Sequence, residues 1–213
     1  NIYVPRGGVS VGGRRASVDE VCDALVAAFR AVVAEPKRAA SILATVQSPA
    51  TLDLIGRLHE SGARRGAVLL ESAPYVHPDF PAARTATPLL LRVTPDARDL
   101  YCEERFGPIG FVIEADDAAS ALESATADVR AAGGITAFAY SQRDDFLAAA
   151  EAAYAVAGAQ LTCNLTGAMP LNFAASYSDY HVTGLNPAGN ATLTDASFVA
   201  GRFRIAQSRR PVA

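Results

Sequence analysis

The 213 residues predict an α/β fold, a three-layer αβα sandwich around a mostly parallel sheet, laid out as one domain over 1–213. Three observations carry this. Short apolar runs alternate along the chain with longer segments whose apolar residues recur at spacings of three and four. Gly and Pro fall between the two kinds of segment, where turns belong. The run Ile135 to Tyr140 is too continuous for a strand with one wet face, so it reads as a central parallel strand.

Asn1 to Pro5 is the first strand, with turns at Gly7-Gly8 and Gly12-Gly13. Ser17 followed by Glu20 is a capping-box signature. The helix it opens carries Val18, Val21, Cys22, Leu25, Val26, Phe29, Val32 and Val33 on one face, and Glu35-Pro36 closes it. Cys22 lies in that stripe and reads as a small core hydrophobe. A second helix from about Pro49 to Ser61 buries Leu52, Ile55 and Leu58 and stops at Gly62. His59 stands near its C-terminal end with no partner close in sequence. Gly66 to Glu71 is a short strand. Ser72 to Pro88, with four prolines, reads as a surface loop holding a solvated His77. Leu89 to Val93 is a strand, and so is the run after Pro108 to Ile113. Asp116-Asp117 opens a helix whose stripe is Leu122, Ala125, Val129 and Ala132, stopped by Gly133-Gly134. The central strand, a helix from Arg143 to Ala157 ending at Gly158, and a strand Leu161 to Asn164 follow. There is no internal repeat.

Composition narrows the function classes. Half the residues are hydrophobic and the formal net charge is −3, so no concentrated basic face argues for nucleic acid. No apolar run approaches the roughly 18 residues of a membrane span. Three widely spaced cysteines, Cys22, Cys102 and Cys163, exclude a disulfide framework or zinc knuckle and fit a reducing, cytoplasmic compartment. Asn164-Leu165-Thr166 and Asn190-Ala191-Thr192 match the glycosylation triplet by chance, since no secretion signal accompanies them.

The chain is organised around Cys102-Glu103-Glu104-Arg105-Phe106-Gly107-Pro108, a polar loop that turns at Gly107 and runs into an apolar strand. Glu104 offers two acceptor oxygens suited to adjacent sugar hydroxyls. Phe106 offers a flat apolar wall for a heteroaromatic ring. On spacing alone the plainer reading leads: Glu-Glu-Arg as solvated loop, Phe-Gly-Pro as core anchor and turn.

Glu-Glu-Arg-Phe-Gly-Pro-Ile, followed by an apolar strand, an Asp-Asp pair and an Ala-rich helix, resembles the aldehyde dehydrogenase superfamily. The resemblance implies that Glu104 holds the nicotinamide ribose of NAD or NADP and that Phe106 packs near the nicotinamide. The order of elements also matches the family's catalytic domain, which implies that Asn164 donates an amide N–H to the substrate oxygen. Tyr177-Ser178-Asp179-Tyr180-His181-Val182-Thr183-Gly184 is similar to the family's Phe-Gly-Gly-Tyr-Lys-x-Ser-Gly. It places Tyr177 at the wall of the substrate tunnel, while Ser178-Asp179 departs from the two glycines and His181 from the Lys. The segments 164–170 and 178–190 resemble a bacterial branch assigned to phenylacetate degradation, whose substrate is a semialdehyde. Family members are dimers or tetramers, so a homo-oligomer is expected.

The family's nucleophilic Cys stands in a Gly-Gln-x-Cys context just before a strand like Asn1 to Pro5, and none of the three cysteines has that context. Cys102 lies two residues from Glu104, beside two carboxylates that disfavour a thiolate. No Gly-x-Gly-x-x-Gly follows a strand. The chain therefore reads as a catalytic-domain fragment without a catalytic residue of its own, inactive alone, from an enzyme that oxidises an aldehyde through a thiohemiacetal and thioester. Two other readings stay open: a non-catalytic binding or assembly domain of the same shape, and a thiol-dependent transferase using Cys102.

Overall fold

The computed structural model describes residues 1–134, 136–167 and 208–210. The chain divides into two compact units, Asn1–Ala121 and Leu122–Ala213. The α/β class and the mostly parallel pairing are as the sequence predicts.

The first unit holds a four-stranded sheet in the order β1-β6-β5-β4, from β1 (Ile2–Pro5), β6 (Ile109–Ala115), β5 (Leu89–Val93) and β4 (Gly66–Leu70). β1, β6 and β5 run parallel, and β4 is antiparallel to β5 at the edge. Side chains alternate across the two faces. Leu89, Leu91, Val93, Phe111 and Ile113 pack with Ile55 and Leu58 of α3 (Pro49–Arg65). Val4, Leu90 and Val112 pack on the opposite face with Val18 and Cys22 of α1 (Val18–Val33). This unit is thus helix, sheet, helix in three layers. The period-two alternation of side chains along β5 and β6 dictates it.

α1 starts as expected. Ser17 accepts from the Glu20 N–H at 3.2 Å, and the Glu20 carboxylate accepts from the Ser17 N–H at 2.7 Å. These bonds, with Arg14, hold the Glu20 carboxyl below its ordinary value. Gly12 and Gly13, at φ 57° and 79°, form the two-residue turn of a hairpin that pattern reading saw only as a turn. It joins β2 (Val9–Val11) to β3 (Arg14–Ala16). Pro36 ends nothing. It is the first residue of α2 (Pro36–Leu43), an extra helix that pattern reading missed.

Three expectations in this unit are corrected. Gly62 does not stop α3, which continues to Arg65. A Cβ on Gly62 would stand 2.7 Å from both Leu91 methyls, so glycine there lets the helix lie close on β5. Leu52 stays 37% exposed rather than joining the core. His77 is buried, not solvated: its Nδ1 accepts from the N–H groups of Asp79 and Phe80, and its ring lies 5.1 Å from that of Phe80. The segment 72–88 forms neither helix nor strand, but Thr87 and Thr85 tie it to Ala73 and Tyr75.

The second unit contains β7 (Thr136–Ala139), β8 (Gln160–Cys163) and β9 (Ser208–Arg209), all parallel in that order. Ala137, Ala139, Leu161 and Cys163 share one face and pack with two helices. These are α5 (Ala118–Ala132), through Leu122, Ala125 and Val129, and α6 (Asp144–Ala157), through Leu147, Ala150 and Tyr154. Asp117 receives the Ser120 N–H at 2.8 Å at the start of α5, and that bonding lowers its carboxyl. The central position expected for β7 is not found. Among the described residues its one neighbour is β8, and Phe138 is 46% exposed.

Candidate functional site

β5 and β6 are parallel neighbours, so the chain must leave one end of β5 and return to the other end of β6. Residues 94–108 make that crossing: a 3₁₀ turn at Pro95–Ala97, the single-turn helix α4 (Arg98–Tyr101) and the Cys102–Pro108 loop. α4 is anchored from the core side. Tyr101 is buried, donates its hydroxyl to Pro95 O at 3.1 Å, and meets the rings of Phe111 and Tyr3 at 6.2 and 6.5 Å. From outside, Arg65 at the end of α3 grips the Asp99 carboxylate with two nitrogens at 2.6 and 2.8 Å. That contact holds the Asp99 carboxyl below the usual carboxylate range.

The loop leaving α4 is fixed at both ends. Arg105 folds back, donating to Leu100 O at 2.9 Å and Asp99 O at 2.7 Å, and pairs with Glu103 at 3.0 Å. At the exit, Pro108 O accepts from Leu89 N–H at 2.9 Å, extending the β5–β6 pairing. A Cβ at Gly107 would stand 2.9 Å from the Thr51 methyl on α3. Between these anchors Glu104 and Phe106 project outward. Glu104 is exposed, and its carboxylate makes no hydrogen bond or ion pair among the described residues. Phe106 is 75% exposed. The two therefore share one braced loop, beside the amino-terminal ends of β5 and β6 rather than the carboxyl ends where open α/β sheets commonly bind ligands.

Asn164 follows β8 directly. Its φ is 52°, a left-handed conformation that Asn tolerates better than most side chains. Its Oδ1 accepts from the Ser141 N–H and its Nδ2 donates to Ser141 O, both at 2.9 Å, and its own N–H reaches Ala139 O at 2.8 Å. One of the two amide N–H donors is thus engaged, and the second has no acceptor among the described residues. Tyr177, with Ser178, Asp179, Tyr180, His181, Thr183 and Gly184, lies outside the described residues.

The cysteines differ in environment. Cys22 and Cys163 are buried, at 3% and 0% exposure, and burial pushes both thiols up. Cys102 is half-buried at the end of α4. His59 finds its partner from a distant element, with Nε2 3.6 Å from Glu71 Oε1 just past β4. A shallow depression between α2 and the 77–83 segment is lined by Ala40, Ala44, His77, Phe80 and Pro81, and none of the candidate residues borders it. No group of three or more metal-binding side chains occurs among the described residues. Arg105 is the residue pattern reading passed over. Its signal was a cation placed between two exposed functional candidates, which in sequence looks like ordinary loop charge.

The model of the aldehyde dehydrogenase family matches residues 14–164, a span that includes Glu104, Phe106 and Asn164 and ends before Tyr177. The chain is similar to the crystal structure of an NAD-dependent aldehyde dehydrogenase from Burkholderia multivorans, at 39% identity and a TM-score of 0.77. That alignment covers 94% of this chain and 35% of the other, so the chain spans about a third of that relative's length. An NAD-dependent benzaldehyde dehydrogenase from Corynebacterium glutamicum aligns at 21% identity with a TM-score of 0.47, over 71% of this chain and 29% of that one. No curated protein matches.

Proposed function

The chain belongs to the aldehyde dehydrogenase family, and from that premise we propose that it forms part of an NAD(P)-dependent enzyme that oxidises a small aldehyde to the acid. The observation that carries the reading is the braced loop on which Glu104 and Phe106 both face outward. The residues fit a nicotinamide nucleotide: a carboxylate with no partner among the described residues suits a pair of ribose hydroxyls, and an exposed ring suits a flat heterocycle. When bound, the nicotinamide accepts hydride. Glu104 holds the ribose, Phe106 limits where the ring can lie, and the second Asn164 N–H is available to a substrate oxygen. Tyr177 is proposed to line the aldehyde's path.

Two of the cysteines are poor nucleophiles, because burial pushes both thiols up. We assign the attacking thiolate and its general base to sequence outside 1–213, so that this chain alone is inactive. The aldehyde is a semialdehyde of phenylacetate degradation, by the likeness of segments 164–170 and 178–190. A cytoplasmic homo-oligomer completes the proposal.

The inert environment of Cys22 and Cys163 also favours a second reading, a non-catalytic binding or assembly domain. One experiment separates them. The protein isolated from its source cells is weighed intact and assayed for aldehyde-dependent NAD(P) reduction. A mass well above 22.2 kDa with reduction supports the enzyme. A mass equal to this chain without reduction overturns it in favour of the binding domain. Retained turnover in Cys102→Ser removes the Cys102 transferase.

A further inference from the structure

We propose that Arg105 is a positioning residue that sets the direction of Glu104 and Phe106 and thereby the affinity for the nicotinamide nucleotide; this rests on the reading of the loop given above. Neither flanking side chain has an anchor that would set its own direction. Glu104 makes no hydrogen bond or ion pair among the described residues, and Phe106 is 75% exposed. Arg105, between them, is fixed. Its Nε and Nη2 donate to Leu100 O and Asp99 O at 2.9 and 2.7 Å, Nη1 meets Glu103 Oε2 at 3.0 Å, and its side chain is 21% exposed.

Those two carbonyls belong to the last turn of α4, where backbone acceptors lack helical partners and a cation is favoured. A guanidinium fork can satisfy both while reaching Glu103, a geometry an ammonium cannot copy. The brace also continues to α3. Asp99, whose carbonyl Arg105 grips, has its carboxylate held by Arg65 of α3. Arg65, Asp99 and Arg105 thus transmit the position of a core-packed helix to the residues on either side of Arg105. With Arg105 fixed inward at 21% exposure, the residues on either side of it, Glu104 and Phe106, are the exposed ones, and a change at Arg105 moves both through the shared backbone.

The test uses variants made in the intact gene, with NAD and NADP dissociation constants, KM for nucleotide and aldehyde, and Tm measured on each protein. Arg105→Met is expected to weaken nucleotide binding and raise nucleotide KM about tenfold, the size of one charge-assisted contact. The aldehyde KM stays within about twofold. Arg105→Lys, which keeps a cation without the fork, is expected to fall between, and it carries the test if the Met variant does not fold. Wild-type nucleotide affinity in Arg105→Lys or Arg105→Met overturns the proposal. A parallel loss in aldehyde KM and Tm does so too, since it marks a purely structural residue. Glu104→Gln is titrated alongside. If it binds nucleotide weakly while Arg105→Met binds normally, only this proposal fails. If Glu104→Gln binds like wild type, the reading of the loop fails with it.

Discussion

Asn164 shows how much one side chain can decide about a strand end. At φ 52° its backbone sits where most residues pay about 1–2 kcal/mol, and its amide joins both polar groups of the Ser141 backbone. Asn164→Ala removes two bonds to half-buried partners and keeps the strained backbone, so we expect a loss of about 2–4 kcal/mol in urea unfolding. Asn164→Gly loses the same bonds but accepts the left-handed conformation, so it should retain about 1 kcal/mol more than the Ala variant. Equal losses would show that the conformation costs nothing here. The resemblance to the aldehyde dehydrogenase family picked out Asn164, Glu104 and Phe106, each beside a recognisable strand, whereas spacing alone favoured the plainer reading of the 102–108 loop. It could not show the Ser141 pairing, which joins residues 23 apart, nor the inward fold of Arg105, whose partners lie within six residues but depend on how the chain turns after α4. The burial of His77 escaped for a local reason: a proline-rich segment reads as surface, yet the backbone donors of Asp79 and Phe80, two and three residues on, close around its ring nitrogen.

At the scale of elements, α3 carries two glycines with opposite surroundings. A Cβ at Gly62 would meet both methyls of fully buried Leu91 at 2.7 Å, whereas one at Gly56 meets nothing within 4 Å. Helix propensity favours Ala at both by about 1 kcal/mol. Gly56→Ala should therefore stabilise by about 0.5–1 kcal/mol. In Gly62→Ala, overpacking against β5 outweighs the propensity gain and the variant should lose about 1–2 kcal/mol. Chemical denaturation of the pair checks both signs. Pattern reading took Gly62 as a helix stop because a glycine's role depends on what faces it. α2 was missed because its few apolar residues give too short a period to count. The same helix end supplies a pH prediction. Asp99 is held below its ordinary value of 3.8, first by its bond to Arg65. A lowered carboxylate contributes stability above its unfolded value and loses it as pH falls through the folded one. Arg65→Met should thus be less stable than wild type at pH 7, and the gap should narrow as pH drops below about 4. A gap that widens in acid would contradict the pairing.

At the scale of the molecule, strands alternating with helices along the sequence announced helices on both faces of a sheet, and that much was legible. The partition of the described strands into a four-stranded sheet, a hairpin and a three-stranded sheet was not. Whether a continuous apolar run such as 135–140 is central or at an edge depends on which strands pair with it, and pairing is a property of the assembled fold. The first sheet makes a testable gradient. β5 and β6 are each flanked by strands on both sides, and Leu89, Leu90, Leu91, Val112 and Ile113 are at most 1% exposed. Among the described residues β4 is paired on one side only, and its residues are exposed or half-buried. The β2–β3 hairpin is exposed except for Val9 and Ala16. Amides open in proportion to the contacts that must break, so exchange should be slowest in β5 and β6, faster in β4, and fastest in the hairpin. Native-state hydrogen exchange by mass spectrometry reads this order directly. Protection in β4 that outlasts β5 and β6 would mean that its open side is covered in the intact protein, and the sheet would then have to be redrawn with a further neighbour on that edge.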